Sequence, residues 1–523
     1  MRLRTLSRLM IVPALIISLH AAITLPSDNS AAVTPTVEGP AKEAMEAFQA
    51  GRHAKAVELA TPLAAQGNSD ANYLLGFAHE TGKGAEKSKD KALEYYRKAA
   101  AAKHKDAAYR LSFILLASEK EDERDQAREA LETAAKDDPA VAGRILGEAY
   151  LRGRLTPAAD PDKAVFWWKR AADAGDIPSL LLLGRFYEGQ FGFPELKDVK
   201  EALASYGKAA GLGDAGAMTA LGSRLLSGDE KSRDEKKGRE WLKKAIAAKE
   251  YTAYLALGDY EENVKKDLKA ALAEYERGKD AGQIDCILRA ADFYIEGKGV
   301  DKDPERGMAL LEKAATGGSP QASFRLAVKA LAGEKPDLLS GYKYLLSAAN
   351  GNMPEAQNEL GLLYLSGKLA LADTVSGVAW LTRAAQGGNA QAQNNLGALY
   401  ERGAGVPQNI ENAGQLYALA ANQGNGPATM ALARLVNEGI GTKSDLVKAW
   451  ALATLAQERG VEDAAKMIAD ISAKLDDKQK AEAKKVLADI KSGKTEEPKK
   501  DDSKTPSPTP APTPAPAPPK KPK

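Results

Sequence analysis

The apolar positions of this chain fall into a pattern that returns again and again along its length. Sliding the sequence against itself aligns a motif of Leu, then Gly or another small residue, then an aromatic or aliphatic residue three later. It reads LLGFAH at Gly76, ILGEAY at Gly147, LLGRFY at Gly184, ELGLLY at Gly361 and NLGALY at Gly397. Eleven copies emerge, with register residues Gly76, Ser112, Gly147, Gly184, Gly222, Gly258, Ala291, Ala327, Gly361, Gly397 and Ala433, spaced 33 to 38 apart. That period predicts two-helix solenoid units. About twenty residues after each copy comes a second motif, WWKRAADAG at 167–175, LLEKAATGG at 310–318 and WLTRAAQGG at 380–388. The first motif lies on helix A of each unit and the second on helix B.

Helix ends are legible in the same alignment. Relative to the first residue of each paired small-residue site (Ala99, Ala171, Ala209, Ala245, Gly278, Ala314, Ala348, Ala384, Ala420), the residue eleven earlier is Ser88, Asp160, Asp198, Asp234, Asp267, Asp303, Asp337, Asp373 or Asn409. All are residues whose side-chain oxygen accepts the unpaired N–H groups of a helix N-terminus. Pro161 and Pro304 follow at the first helical position of helix B, and Pro139, Pro178, Pro320, Pro354 and Pro427 open helix A. Basic residues near the end of helix B, such as Lys98, Arg170, Lys244 and Arg383, complement its dipole. Gly175, Gly213, Gly318, Gly388 and Gly424 close it.

These residues carry a resemblance. The pattern A-x-x-x-L-G-x-x-Y-x-x-G-x-G-V-x-x-D-x-x-K-A-x-x-W-Y-x-K-A-A-x-x-G resembles the Sel-one-like repeat (SLR), a relative of the tetratricopeptide repeat. The best copy is 392–424, with Leu396, Gly397, Tyr400, Gly403, Gly405 and Val406 in place, and the match covers roughly 71–460. The resemblance implies an all-α fold, a right-handed α-solenoid superhelix of about eleven to twelve two-helix repeats. The stretch 44–65 departs from the pattern and looks more like a plain tetratricopeptide unit, and units two, five and six lack the Gly-x-Gly loop. After Gly460 the sequence reads as a polar-faced capping helix pair, as a solenoid needs in order to end in water.

Composition then narrows the chemistry. The chain has 523 residues, 44% hydrophobic and 28% charged, with a formal net charge of +2. That balance supplies folded cores and no field of the kind that draws nucleic acid. One Cys, Cys286, excludes an intramolecular disulfide framework or a Cys-based zinc site, and His20, His53, His79 and His104 have no ligand-type spacing to it. Neither a metal nor a cofactor is expected. At the N-terminus, Arg2, Arg4 and Arg8 precede an apolar run over 9–19, the layout of a secretory signal, with no lipidation Cys after it. We assign 1–32 to a signal peptide and leader cut after Ala32, the alternative being an uncleaved inner-membrane anchor, and 33–40 to a linker. The solenoid then occupies 41–460, the capping helices 461–492, and a Pro- and Lys-rich tail 493–523. The tail cannot form a core, and alternating Pro biases it to polyproline II. It is a solvated spacer, or else its basic tip touches an anionic wall polymer or membrane surface.

Residues that look chemical recur too often to be catalytic. All five Trp (Trp167, Trp168, Trp241, Trp380, Trp450) lie four or three positions before the paired small residues, where other copies place Tyr95, Tyr206, Tyr275, Tyr344 or Tyr417, so the slot is read as packing. The acids Asp160, Asp198, Asp234, Asp303 and Asp373 are read as caps. Residues 211–216 match GxGxxG without the strand that a dinucleotide site requires, and 76–83 and 361–368 approach a P-loop with the wrong spacing.

A partner surface follows from helical geometry. Positions five and one before and three after the register residue cluster on one side of helix A and are read as packed; positions three before and one after lie roughly opposite. Those slots hold Tyr73, Tyr109, Arg144, Arg185, Leu255, Phe324, Asn358, Asn394 and Arg434, a strip expected to line a concave groove. The function expected is a non-enzymatic scaffold, exported to the periplasm or cell surface, that holds a protein, extended peptide or envelope polysaccharide in that groove and takes part in envelope assembly or signalling. The alternative is a β-lactamase-like hydrolase, by resemblance to Cys-rich relatives whose repeats each carry paired Cys; this chain has one Cys in all.

Overall fold

In the computed structural model, residues 39–229, 232–368 and 372–492 are described. The proposed signal and leader, most of the linker and the Pro-rich tail lie outside them. The described residues hold 26 α-helices, one short 3-10 turn and one π turn, with no strand among them. They fall into two compact units, 39–286 and 287–492, and each is a solenoid of stacked A–B hairpins.

The hairpins form where the caps require. Every one of the nine cap residues accepts a backbone N–H from helix B: Ser88 from Lys91, Asp160 from Lys163, Asp198 from Lys200 and Glu201, Asp234 from Lys237, Asp267 from Ala270, Asp303 from Arg306, Asp337 from Ser340, Asp373 from Ser376 and Asn409 from Asn412. Helix B then ends two residues before a left-handed position four after the reference residue. It is Gly at Gly388 (φ 87°), and where the sequence places Lys103, Lys249 or Asn352 there, the backbone still turns at φ 63°, 66° and 58°. The glycine is the relaxed choice and the turn does not depend on it.

Within a hairpin, the register residue of helix A faces the residue three before the reference on helix B. A Cβ added at Gly76 would lie 2.6 Å from Tyr96, at Gly147 2.5 Å from Trp168, at Gly184 2.5 Å from Tyr206, and at Gly258 2.3 Å from Tyr275. The aromatic ring occupies the space that a side chain on helix A would need. Two compensating sets of residues fill the seam. Where helix B contributes Tyr96, Trp168, Tyr206, Tyr275 or Tyr417, the position one turn earlier is Ala92, Ala164, Ala202, Ala271 or Ala413. Where it contributes Leu242, Leu311, Leu345 or Leu381, that earlier position is Gly238, Gly307, Gly341 or Gly377, and helix A pushes Leu226, Ile295, Leu331 or Leu365 into it. A smaller side chain on one helix is matched by a larger one on the other, so the seam volume is conserved.

The tryptophans need sorting. Trp168 is fully buried in the aromatic slot, whereas Trp241 and Trp380, one residue earlier along helix B, are half-buried and pack on the cores of the preceding hairpins. There they carry a cation one turn on: Lys244 lies 4.2 Å from the Trp241 ring and Arg383 4.7 Å from the Trp380 ring. Trp450 falls outside both slots. Asp445 caps its helix, which puts Ala453 opposite Ala433; the space between these two small residues is filled from the capping helices Ala464–Ser472 and Asp477–Lys491 by Met467, Ile468 and Ile490. The Trp450 indole instead donates to Ser472 Oγ at 2.8 Å.

Asp160→Ala removes one cap without touching the core, and it is expected to cost about 1 kcal/mol. Urea denaturation followed by circular dichroism checks this; an unchanged midpoint would remove the caps from the account.

Candidate interaction surface

Each hairpin leaves one stripe of helix A open. In unit 287–492 the solvent-exposed positions are six and two before and one and five after the register residue: Gln321, Val328 and Ala332 on one helix, Glu355, Glu359, Leu362 and Ser366 on the next, Gln391 and Arg402 on the third. Arg325 and Asn395, which share the position two before, are half-buried. This stripe is rotated from the one expected. The position one after the register is open, as at Val328 (52% exposed) and Leu362 (37%). The position three before is turned toward the following hairpin.

The expected strip residues divide accordingly. Tyr109 is 5% exposed and Asn358 3%, so neither lines an open groove, a correction to the sequence reading. The Tyr109 hydroxyl donates to Asp138 Oδ2 at 2.9 Å, and Asp138 is the N-cap of the next helix A. Tyr73 stacks on His104, ring centroids 4.5 Å apart, and Arg144 reaches Asp176 at 3.5 Å; His104 and Asp176 are again the next helix A caps. Phe324 packs against the core formed by Ala327, Leu345 and Leu360. Arg434 is engaged by Glu401 and Glu438, and Leu255 is half-buried. Arg185 is exposed, with its Nε on Gln190 and its guanidinium over Phe191. Asn394 is half-buried and its amide makes no hydrogen bond.

The seam between hairpins is built from a relay. Tyr417 donates to Glu401 at 2.8 Å, and Glu401 pairs with Arg434 of the next hairpin. In the other unit Tyr96 donates to Glu80, which holds Arg110 at 3.2 Å, and Tyr206 faces Glu188, which holds Arg224. Burial first, and the facing carboxylate second, raise all three phenols above the ordinary tyrosine value, so they stay protonated donors. Glu148, at a position that is open in other hairpins, is itself buried; loss of water raises its carboxyl, opposed by Arg152 and Arg144.

Amides complete the surface of unit 287–492. Gln357 donates to Ala349 O at 3.0 Å and Gln393 to Ala385 O at 3.1 Å, each satisfying the end of the preceding helix B. A second series runs across three hairpins: Asn425 donates to Gln391, Gln391 to Asn395, Asn395 to Asn358 and Asn358 to Glu359, at 3.3, 3.1, 3.0 and 3.1 Å. Each amide nitrogen has a second N–H beyond these bonds. Sequence reasoning selected Asn358 and missed Gln391 and Asn395, which lie on the open side; the signal available was the run of amides QAQNN at 391–395.

Comparison with known proteins places these hairpins. The Sel1 repeat family profile matches nine stretches, 69–104, 144–176, 177–214, 215–249, 284–319, 320–353, 354–389, 390–425 and 426–461, together more than half the chain. The stretches between them hold the register residues Ser112 and Gly258, and in the second of these helix A ends in the π turn Glu261–Lys265. The chitin synthase regulator SKT5 of Saccharomyces cerevisiae is 26% identical over 312 residues, 57% of this chain and 44% of that protein, so the chain spans less than half of that relative's length. Among solved structures, a protective antigen of uropathogenic Escherichia coli displaying an SLR fold is 23% identical (TM-score 0.45; 86% of this chain, 99% of that one). A Sel1 repeat protein from Oxalobacter formigenes is 24% identical (TM-score 0.37; 56% and 99%).

Two asparagines in one slot are therefore expected to behave differently. Asn358→Ala removes the acceptor of Asn395 inside a packed seam and should cost about 1–3 kcal/mol, while Asn394→Ala should stay within about 0.5 kcal/mol. Calorimetric melting of the two variants separates them; equal effects would mean that the seam assignment is wrong.

Proposed function

The chain belongs to the Sel1 repeat family, and on that premise we propose that it is an exported, non-enzymatic scaffold that binds a partner protein on the open faces of its A helices. Repeats of this kind generally bind proteins. One observation carries the surface assignment. Val328 and Leu362 occupy the same open slot on consecutive hairpins, beside the amides of Gln391 and Asn395, while Ala398 in that slot of the next hairpin is half-buried. A single exposed aliphatic residue is ordinary; an aligned pair rimmed by amides is a contact stripe.

The recurring acids support a scaffold rather than a catalyst, since they are spent on helix N-termini and on the tyrosine–arginine relay. Export rests on the basic start and the apolar run at 9–19. No helix among the described residues is long and apolar enough to cross a membrane. The yeast relative is described as a regulator of a synthase, which supports a role exercised on another protein, here in envelope assembly or signalling. Its lysine-tipped tail is a solvated spacer, or else a contact to an anionic wall or membrane surface.

The test uses the full chain as bait against envelope extract, beside Val328→Asp/Leu362→Asp. Capture of a defined partner is expected to fall at least tenfold in the variant, with its helical circular dichroism unchanged because both positions are exposed. Undiminished capture would move the binding surface elsewhere.

A further inference from the structure

Ten hairpins close the loop between helices A and B in one way: the N–H of the helix B cap donates to the carbonyl three residues after the register. Ser88 bonds His79 O, Asp234 bonds Leu225 O and Asn409 bonds Tyr400 O, each at 2.9 Å and each spanning nine residues. Between Tyr187 and Asp198 the same bond, at 2.8 Å, spans eleven. The longer loop folds back on the core shared by its own helix A and the preceding hairpin. Phe191 lies 6.1 Å from Trp168 and Phe193 6.2 Å from Phe186, and a 3-10 turn, Pro194–Leu196, follows.

That turn faces the start of the preceding helix B, Pro161–Asp173, across a cleft of ≈ 330 Å³. Its walls are Val165, Phe186, Tyr187 and Leu196, and its mouth carries three carboxylates, Asp162, Glu195 and Asp198. Asp198 is engaged as the cap of its helix. Asp162 and Glu195 are exposed and make no hydrogen bond or ion pair, and Lys197 is the one cation lining the cleft. Lys169, on the neighbouring face, is taken by Glu201 and lies over the Tyr187 ring. Outside the mouth, one turn on from Asp162, Phe166 is 56% exposed.

We propose that this cleft takes a lysine or arginine side chain of a partner protein, with an apolar residue next to it resting on Phe166. A long aliphatic stem lies along Val165 and Leu196 while its charged head reaches water and the two free carboxylates at the rim. A neutral apolar guest would strip water from Asp162 and Glu195 with nothing in return, and an acidic one would be repelled. The proposal deepens the scaffold reading, because it requires a protein partner, and it concerns a different unit from the Val328 and Leu362 stripe.

The experiment titrates the full chain with a capped tetrapeptide, Gly-Lys-Leu-Gly, following calorimetric heat and, in parallel, the change in tryptophan emission contributed by Trp167, whose ring lies 5.2 Å from Phe166. Saturable binding is expected. It should be lost when the peptide's lysine is replaced by glutamate, weaken about tenfold in Asp162→Asn/Glu195→Gln, and tighten in Lys197→Ala. All three substituted positions are exposed, so the variants should keep the parent's circular dichroism. No binding, equal binding of the glutamate peptide, or an unaffected double variant would overturn the proposal. So would a gain in affinity on deleting 493–523, which would make the chain's own basic tail the occupant. If the cleft fails while capture through Val328 and Leu362 persists, the scaffold reading stands without it.

Discussion

In nine of the described hairpins helix A approaches helix B where one of them gives up a side chain. At Gly184 that residue is on helix A, and Tyr206 fills the vacancy; at Gly341 it is on helix B, and Leu331 fills it. Most of the rest of the fold follows from that exchange. The aromatic solution brings a phenol to the far side of helix A, where it donates to the carboxylate four residues after the register, as in Tyr417 to Glu401. That carboxylate then holds an arginine of the next hairpin. Packing inside one hairpin thus sets the polar link to its neighbour, and stability accumulates from these nearest-neighbour terms.

Much of this was legible in the sequence. The register residues, the caps from Ser88 to Asn409 and the prolines at helix starts are local signals, and local physics decides them. The partner strip was misread because a helical wheel describes one helix in isolation. The position three before the register lies 60° around from it, which on a lone helix is near the open side. In the stack it meets the cap of the following helix A, so Tyr109 finds Asp138 and Arg144 finds Asp176. Neighbours close that side, and no single helix records them. Two signals that would have corrected the reading were present: amides at Gln357 and Gln393 within an apolar face, and the pairing of Gly on helix B with Leu or Ile four residues after the register.

The surface that remains after these seams are closed is narrow, and it is where sequence differs from hairpin to hairpin. Seam positions are constrained by volume, whereas the open slot holds Asp292, Val328, Leu362, Ala398 and Arg434 in succession. Loops between helices A and B are constrained only by the bond that clasps their ends. An insertion such as the one between Tyr187 and Asp198 therefore adds shape without disturbing the stack. Binding chemistry is free to vary in these two places.

The most direct test of the seam is a double-mutant cycle at Gly184 and Tyr206. Gly184→Ala places a Cβ 2.5 Å from the Tyr206 ring and should lower stability by about 1–3 kcal/mol. In a Tyr206→Leu background, which recreates the Ala327–Leu345 combination, the same change should cost under about 0.5 kcal/mol, a coupling that urea denaturation resolves. Equal costs in both backgrounds would contradict the account, because the glycine would then be tolerated for reasons unrelated to the ring that faces it.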